Sequence, residues 1–389
     1  MKGRLIEPGT HFITGNVAIA EAALLAGCRF YAGYPITPSS DLMHHIAARM
    51  VEVGGVFIQA EDEIAAINMV LGASAAGLKA MTATSGPGLS LMEEGLDLGF
   101  MLELPAVIVD VQRVGPSTGI PTLGSQGDVM QVIWGSHGDR TTVAYAPSSP
   151  QECFDFTIKA FNAAEMLRMP VFVLSDEFVA HSYGKVVVPD HEEIRIIERK
   201  KLDGEKPEKL VPYPWNYTVP PFAEPGRGFR FHYTGLVHDD RGYPVIDKEV
   251  TKRLLQRLMG KVEEYRNEIV EVSLDDEDFK GSSMVVAYGS VYRIIKTAYR
   301  RDRGFRQSVC IFRPKTLWPP PDVELRDVIK KKGIDRVVVV EMNMGQYVHV
   351  VKDVLQGLGV SIALVKLVPG FYPSPKEVKE MITEVIERG

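Results

Sequence analysis

Short β-rich runs alternate with longer helical patterns, and this alternation constrains the fold more than any other feature of the sequence. Residues 57–59, 106–111 and 170–174 are rich in apolar residues, as buried strands are. Residues 61–76 and 150–167 have helical patterns. Strands separated by helices predict a parallel α/β sheet. Ligands of such sheets bind at the carboxyl ends of the strands, so the loops after the strands are the candidate functional segments.

The same patterns divide the 389-residue chain into three predicted parts. Residues 1–189 form the first α/β unit. Residues 190–279 are rich in charge, proline and aromatic side chains, and predict an ordered insertion with a helix at 247–264. Residues 280–389 form a second α/β unit, which contains an apolar strand at 336–341. The charge-dense part of the insertion is interpreted as a solvated face.

Charge and hydropathy exclude several classes of protein. The 44 Lys and Arg residues against 50 Asp and Glu give a net charge of −6, so there is no overall basic footprint for nucleic acid. No apolar run approaches the roughly 18 residues of a membrane-spanning helix. The first residues lack the continuous apolar core of a signal peptide. The sequence therefore predicts a cytoplasmic protein that binds neither nucleic acid nor a membrane.

The three cysteines, Cys28, Cys153 and Cys310, lie far apart and form no C-x-x-C pair. This spacing excludes a self-contained four-cysteine iron–sulfur or zinc site within this sequence. The thiols are interpreted as buried and structural. An electron-transfer cluster, if the function needs one, has to lie on another polypeptide.

The loop at residues 33–41 is the most informative candidate segment. Pro35 and Pro38 fix the backbone on either side of Ile36 and Thr37, so the loop is stiff. A hydroxyl held on a preorganised loop is suited to positioning a substrate. An ordinary proline-rich start of a helix explains the same residues, and the residues alone leave both interpretations open.

Three acids at residues 61–63 mark the start of a helical pattern. Acids in the first turn interact favourably with the helix dipole, which alone accounts for them. Glu63, however, leads into a small and apolar helix, where a carboxylate could be largely desolvated. Desolvation would raise its pKa and suit it to proton exchange with a ring nitrogen. Both interpretations stay open.

The segment at residues 82–88 combines hydroxyl side chains with two glycines that flank Pro87. Such a segment lets backbone approach a flat ligand closely and offers hydrogen bonds to it. It matches neither a Walker loop nor the G-x-G-x-x-G fingerprint, so by itself it indicates little.

The strand at residues 109–113 ends in Arg113. An arginine at the carboxyl end of a strand is well placed to bind a carboxylate substrate through two parallel hydrogen bonds. The alternative is a surface ion pair.

Taken in order, these segments resemble the α subunit of 2-oxoacid:ferredoxin oxidoreductases. The resemblance runs from about residue 14 to the end of the sequence. Each motif alone is modest, but six in the same order are specific to that family. The six are residues 34–38, 84–88, 109–113, 135–139, 234–239 and 340–346.

The resemblance implies a fold, cofactors and partners. The fold is a pyrimidine-type thiamine diphosphate-binding domain followed by an α/β domain similar to the transketolase C-terminal domain. Thiamine diphosphate would be shared, with the aminopyrimidine held here and the diphosphate and its Mg²⁺ held by a β subunit. The [4Fe-4S] cluster is also expected on the β subunit, with no metal in this chain. Ferredoxin, coenzyme A and a small 2-oxoacid are the other implied partners, and γ and δ subunits accompany some such enzymes.

The resemblance also assigns roles to individual residues. Glu63 would pair with the pyrimidine ring nitrogen, and it is preferred to Glu61 because it stands nine residues before Gly72, as the family's glutamate does. Thr37 would face the substrate, and Arg113 would bind the oxoacid carboxylate. The implied catalytic residues are Glu63, Thr37 and Arg113; the cofactor-binding residues Pro35, Ile36, Glu63, Ser85, Gly86, Pro87 and Gly88; and the substrate-binding residues Tyr34, Thr37 and Arg113.

The implied reaction is oxidative decarboxylation of a 2-oxoacid to acyl-CoA and CO₂, with electrons passing to ferredoxin. The segment at residues 234–244 looks like the form found in 2-oxoglutarate enzymes, so 2-oxoglutarate is favoured. The alternatives are a subunit of a branched-chain 2-oxoacid or indolepyruvate enzyme, or a non-catalytic α/β scaffold. His137 is interpreted as a capped core histidine, with a position near the site as the alternative. The loop at 343–346 is interpreted as a packing and subunit contact.

Overall fold

The structure is a computed structural model that describes residues 5–202 and 210–388. Two α/β units, each built on a mainly parallel sheet, confirm the predicted fold class.

The strands are β1 (Gly9–Thr14), β2 (Cys28–Gly33), β3 (Val56–Gln59), β4 (Lys79–Thr84), β5 (Ala106–Val114), β6 (Ile120–Gly124), β7 (Ala144–Tyr145), β8 (Pro170–Asp176), β9 (Tyr183–Val188), β10 (Val272–Asp275), β11 (Ser283–Val286), β12 (Val309–Pro314), β13 (Thr316–Trp318), β14 (Arg336–Glu341) and β15 (Ser361–Lys366). The helices are α1 (Gly15–Leu25), α2 (Ser40–Glu52), α3 (Glu63–Ala75), α4 (Gly86–Met101), α5 (Val129–Trp134), α6 (Pro150–Leu167), α7 (Glu177–His181), α8 (Lys248–Glu264), α9 (Arg266–Ile269), α10 (Gly289–Arg301), α11 (Arg303–Ser308), α12 (Asp322–Lys332), α13 (Tyr347–Val354) and α14 (Pro375–Glu387), with one 3₁₀ turn at His191–Glu193.

The first sheet has the strand order β13-β7-β8-β5-β4-β2-β3, and β6 pairs with the end of β5. The strands from β7 to β3 are parallel, whereas β13 and β6 join antiparallel. Strand β5 lies at the centre and is buried along nearly its whole length. Parallel strands are covered on both faces, which explains why the first part of β5, residues 106–109, is a continuous apolar run, whereas polar residues alternate with valine from Asp110 onward.

The second sheet has the strand order β10-β12-β11-β14-β15, parallel except for β10. The first sheet also receives β13, which lies late in the chain and pairs with β7. Because β13 directly follows β12 of the second sheet in the chain, it links the two sheets.

The insertion is held to the first unit by a buried ion cluster around Glu103. The Glu103 side chain is fully buried, and its carboxylate lies 2.7 Å from both Arg257 and Lys261 of α8. Arg168 donates to the Glu103 backbone carbonyl. Burial alone would raise the pKa of Glu103, but the charges of Lys261, Arg257 and Arg168 lower it to about 2.

Replacing Glu103 with glutamine should loosen α8. The variant leaves two buried cations without their counter-charge, and we expect the free energy of local opening of α8 to fall by about 3 kcal/mol. Hydrogen–deuterium exchange of α8 amides measures this opening, which should become roughly 100-fold more frequent. Glu192→Gln is the matched control, since Glu192 is exposed. Unchanged exchange in Glu103→Gln would show that the cluster does not anchor α8.

Among residues 5–202 and 210–388, no helix combines the length and apolarity that a membrane span requires. The three cysteines are all buried, as predicted. Burial raises the pKa of Cys28 and of Cys310 to about 12, so these thiols stay protonated near neutral pH.

Candidate functional site

Glu63 is the first residue of α3, directly after the loop that leaves β3. Asp62 is the N-cap of this helix, and its Oδ1 accepts a hydrogen bond from Ala65 N at 2.7 Å. Because Asp62 caps the helix, the Glu63 side chain is not needed as the cap. Glu63 is only 4% exposed. Burial chiefly raises the pKa of Glu63, the neighbouring Asp62 adds to the rise, and the Arg113 charge opposes it. The desolvated carboxylate expected from the apolar helix is thus present.

The segment between β4 and α4 approaches Glu63 directly. A methyl group at Gly88 would overlap the Glu63 carboxylate and the Thr84 hydroxyl. Ser85 is the N-cap of α4, yet its buried hydroxyl makes no capping bond and has no hydrogen-bond partner among the described residues. A hydroxyl left in this way beside a buried acid is suited to a polar ligand.

Gly88→Ala should therefore perturb catalysis rather than the fold. Gly88 lies in the first turn of α4, where alanine is favourable, but its methyl group would displace the Glu63 carboxylate. A displacement on this scale is expected to lower turnover roughly 100-fold. Steady-state kinetics on the assembled enzyme would measure it. Gly260→Ala is the control, since a methyl group at Gly260 of α8 would meet only Thr218, at an ordinary contact distance of 3.9 Å. Wild-type turnover in Gly88→Ala would mean that the Glu63 position is not critical.

Arg113 lies near the carboxyl end of β5 and is buried, which argues against a surface ion pair. Its Nη1 donates to the Thr37 carbonyl at 2.8 Å, while its Nε is buried without a hydrogen-bond partner in the described chain. Burial lowers the pKa of Arg113, and the negative charges of Asp128 and Glu63 oppose that effect. The guanidinium therefore lies within electrostatic range of Glu63.

The loop after β2 is held through its backbone carbonyls. Asn16 Nδ2 donates to the Pro38 carbonyl at 3.0 Å, and Ser39 Oγ donates to the Ile36 carbonyl at 2.9 Å. Arg113 binds the Thr37 carbonyl between them. The side chains of Tyr34, Pro35 and Thr37 are exposed and that of Ile36 is half-buried. Three hydrogen bonds thus hold the loop, and its exposed side chains point outward.

A cavity of about 580 Å³ brings several of these residues together. Gly86 and Pro87 of α4 line it from one side, and Arg113 lines it from the end of β5. Ser125 and Asp128 line it from the loop after β6. A second cavity, of about 550 Å³ beside α6, has no predicted site residue in its lining.

The opposite wall of the first cavity comes from the second α/β unit, through Asn343, Met344 and Gln346. Asn343 Nδ2 donates to the Gln126 carbonyl at 2.7 Å, and Gln346 Oε1 accepts from Met130 N at 2.9 Å. The loop at 343–346 therefore lines the candidate site, in addition to the packing role expected of it.

Gln126 joins the two units and was missed from the sequence. Its Nε2 donates to the Tyr288 carbonyl at 2.9 Å, and its Oε1 accepts from Met342 N at 3.0 Å. The Glu341 carboxylate, fully buried, accepts from Tyr347 N and Val348 N and so fixes the start of α13. Glu341 lies in one of the six family-like motifs, residues 340–346, whereas Gln126 lies in none of them.

The interpretation of His137 as a core histidine is wrong. Its side chain is 79% exposed, and its Nδ1 lies 2.9 Å from Asp97. The neighbouring Ser136 has a positive φ of 64°, which turns the chain outward at this point.

Comparisons with known proteins give the family of this chain. Residues 21–255 match the family described as "Pyruvate flavodoxin/ferredoxin oxidoreductase, thiamine diP-bdg". Residues 282–381 match "Pyruvate:ferredoxin oxidoreductase core domain II". The 2-oxoglutarate synthase subunit KorA of Methanocaldococcus jannaschii is 46% identical over 95% of this chain and 98% of its own length.

Two further relatives have related names. The ketoisovalerate oxidoreductase subunit VorB of Methanothermobacter thermautotrophicus is 36% identical over 97% of this chain and 98% of its own length. The solved 2-oxoglutarate:ferredoxin oxidoreductase from Magnetococcus marinus, with 2-oxoglutarate, coenzyme A and succinyl-CoA bound, superposes with a TM-score of 0.90 at 31% identity. That match covers 97% of this chain but 65% of the solved chain, so about a third of the solved chain lies outside the match.

Proposed function

The chain belongs to the pyruvate flavodoxin/ferredoxin oxidoreductase family, and we propose that it is the α subunit of a 2-oxoglutarate:ferredoxin oxidoreductase. The reaction is oxidative decarboxylation of the 2-oxoacid to acyl-CoA and CO₂, with two electrons passing singly to ferredoxin. One observation carries this proposal. At the carboxyl ends of the parallel strands, the buried Arg113 guanidinium lies within electrostatic range of the desolvated Glu63 carboxylate. The relatives named 2-oxoglutarate synthase favour 2-oxoglutarate as the substrate.

The residues present fit the aminopyrimidine of thiamine diphosphate. Because Gly88 has no side chain, the space beside the Glu63 carboxylate stays open, and any larger residue would fill it. The buried Ser85 hydroxyl has no hydrogen-bond partner among the described residues and can bind a polar group of the ligand. Glu63 would hold the ring nitrogen, with Pro35, Ile36 and the segment at 85–88 around the ring. When bound, thiamine diphosphate supplies the carbon nucleophile and the electron sink for decarboxylation.

Two properties of this chain's own residues matter to that chemistry. Burial raises the pKa of Glu63, and this rise suits the carboxyl group to exchange a proton with a ring nitrogen. Arg113 would bind the 2-oxoacid carboxylate, with Tyr34 and Thr37 on the substrate side of the loop, and would stabilise the negative charge of that carboxylate in a water-poor site.

We assign the diphosphate, its Mg²⁺ and the [4Fe-4S] cluster to a β subunit. No group of three or more His, Cys, Asp or Glu side chains in the described residues is arranged to hold a metal ion. The three thiols lie on separate elements, β2, α6 and β12, and are buried and protonated rather than poised as thiolate ligands.

The surface beside Glu63 is suited to that β subunit. Apart from Glu63, α3 carries no charged side chain, and on its outer face Ile64 and Met69 are 49% and 38% exposed. Leu91 of the neighbouring α4 is 46% exposed. An uncharged, partly apolar face next to a site that lacks part of its ligand-binding residues is typical of a subunit interface.

The division of labour along the chain is part of the same proposal. Residues 1–189 would bind the pyrimidine, residues 190–279 would form the insertion, and residues 280–389 would form the second α/β domain. γ and δ subunits, ferredoxin and coenzyme A would bind the assembled complex, which we place in the cytoplasm.

A panel of substrates tests the proposed function. The chain, co-purified with its native partner, would be assayed anaerobically for coenzyme A-dependent reduction of methyl viologen with 2-oxoglutarate, 2-oxoisovalerate and pyruvate. We expect the highest kcat/KM with 2-oxoglutarate. A preference for 2-oxoisovalerate would instead match the VorB relative, and no reduction with any of the three, despite bound thiamine diphosphate, would contradict the proposal.

A further inference from the structure

Two buried carboxyl groups, Asp110 of β5 and Asp128 at the start of α5, lie within hydrogen-bond reach of each other. Asp110 is fully buried, and no other group in the described residues forms a hydrogen bond with either of its oxygens. Two ionised carboxylates cannot bond to each other, since both are acceptors only. A buried pair of this kind is stable when it holds one proton.

The proton should reside on Asp110. Asp110 is the more deeply buried of the two, while Asp128 lines the cavity and lies near the positive charge of Arg113. Burial, and then the neighbouring Asp128, raise the pKa of Asp110 well above its ordinary range. Burial raises the pKa of Asp128 only to about 6, because the hydrogen bond from Asp110 and the charge of Arg113 oppose the rise. Near neutral pH, a protonated Asp110 therefore donates to an ionised Asp128.

Asp128 is itself fixed in place against the wall of the site. Its backbone N–H donates to Gln112 Oε1 at 3.1 Å, and Gln112 Nε2 donates to the Ser175 carbonyl at 3.2 Å. A methyl group at Gly86 would lie 2.9 Å from Asp128 Oδ1, so the carboxylate also borders the segment at 85–88. The charged groups that face the pair are Arg113 and, beyond it, Glu63.

From this arrangement we infer that Asp110 is a positioning residue: its proton fixes the Asp128 carboxylate, and that carboxylate orients Arg113 for the 2-oxoacid carboxylate. The inference rests on the proposed function of Arg113. Arg113 Nη1 donates to the Thr37 carbonyl, and the guanidinium is also attracted by the Asp128 charge without forming a direct ion pair with it.

Two substitutions separate this role from a merely structural one. Asp110→Asn keeps a neutral donor of the same shape, so the KM for the 2-oxoacid should stay near the wild-type value. Asp110→Leu removes the donor, and the KM should rise about tenfold while kcat at saturation changes by less than about twofold. Both variants would be assayed in the assembled complex, with thermal stability measured alongside. Equal KM values for the two variants, whether both are raised or both are normal, would overturn the inference.

Infrared spectroscopy tests the proton itself without turnover. The wild-type complex should show the stretching band of a protonated carboxyl group, shifted in D₂O, that the Asp110→Asn complex lacks. The absence of this band in the difference spectrum would overturn the inference even if Asp110→Leu failed to fold. The proposed function and the role of Asp110 fail separately. A wild-type complex that shows the band but is inactive with every 2-oxoacid would contradict only the proposed function. An active complex that lacks the band would contradict only the role of Asp110.

Discussion

Glu63→Gln should reduce turnover of the assembled enzyme by about 10²- to 10⁴-fold, the usual contribution of a positioned acid–base group. Glutamine has the same shape as glutamate but cannot exchange a proton with the ring nitrogen. The effect should be on kcat, with 2-oxoacid binding through Arg113 little changed. Anaerobic viologen reduction at saturating substrate would measure it.

Loss of folding does not explain that result, because the direction of the Glu63 pKa shift means that the glutamine variant does not lose stability. Burial raises the pKa of Glu63, so ionising the carboxyl group destabilises the fold at any pH above its ordinary pKa near 4.5. Glutamine removes this cost, and the variant should be at least as stable as the wild type near neutral pH. Glu61→Gln is the matched control, since Glu61 is exposed two residues earlier. Full activity in Glu63→Gln, or equal losses in both variants, would remove Glu63 from the mechanism.

Arg113→Met should lower kcat/KM for the 2-oxoacid by about 10²- to 10³-fold, the cost of leaving a buried carboxylate without its cation. Methionine fills a similar volume, so the loss reports on charge and on the bond to the Thr37 carbonyl. Arg113→Lys keeps the charge but loses the planar fork, and an intermediate loss is expected. Initial rates measured over a range of 2-oxoacid concentrations give both kcat and KM.

Arg227→Met is the control for this series, because the Arg227 side chain is 71% exposed. It should be indistinguishable from the wild type. An Arg113→Met enzyme with normal kcat/KM would show that another cation, on this chain or its partner, binds the oxoacid carboxylate.

The fold was predictable because hydrophobic periodicity reports directly on burial. The helix predicted at 150–167 is α6, Pro150–Leu167, and the predicted strand at 336–341 is β14, Arg336–Glu341. The helix predicted from residue 61 begins at Glu63 instead, because Asp62 is its cap. Short strands such as β7 and β13 were not predicted, since two or three residues carry too little pattern.

The candidate site was predictable only where one segment contains its own signal. Glu63 stands out because an acid leads an apolar helix, and Arg113 because a cation ends an apolar strand. Asp110 and Asp128 were not singled out, because their pairing depends on the loop after β6 folding back onto β5. The wall formed by Asn343 and Gln346 depends on contacts across more than 200 residues of sequence, and such pairings leave no local pattern.

We propose that this chain supplies half of an active site that a β subunit completes. The most direct measurement is 2-oxoglutarate- and coenzyme A-dependent reduction of ferredoxin by separately purified subunits, assayed alone and after mixing with thiamine diphosphate and Mg²⁺. Activity should be absent from either subunit alone, appear on mixing, and fail to appear when the Glu63→Gln chain replaces the wild type. Activity in the β subunit alone, or restored equally by the Glu63→Gln chain, would contradict the claim.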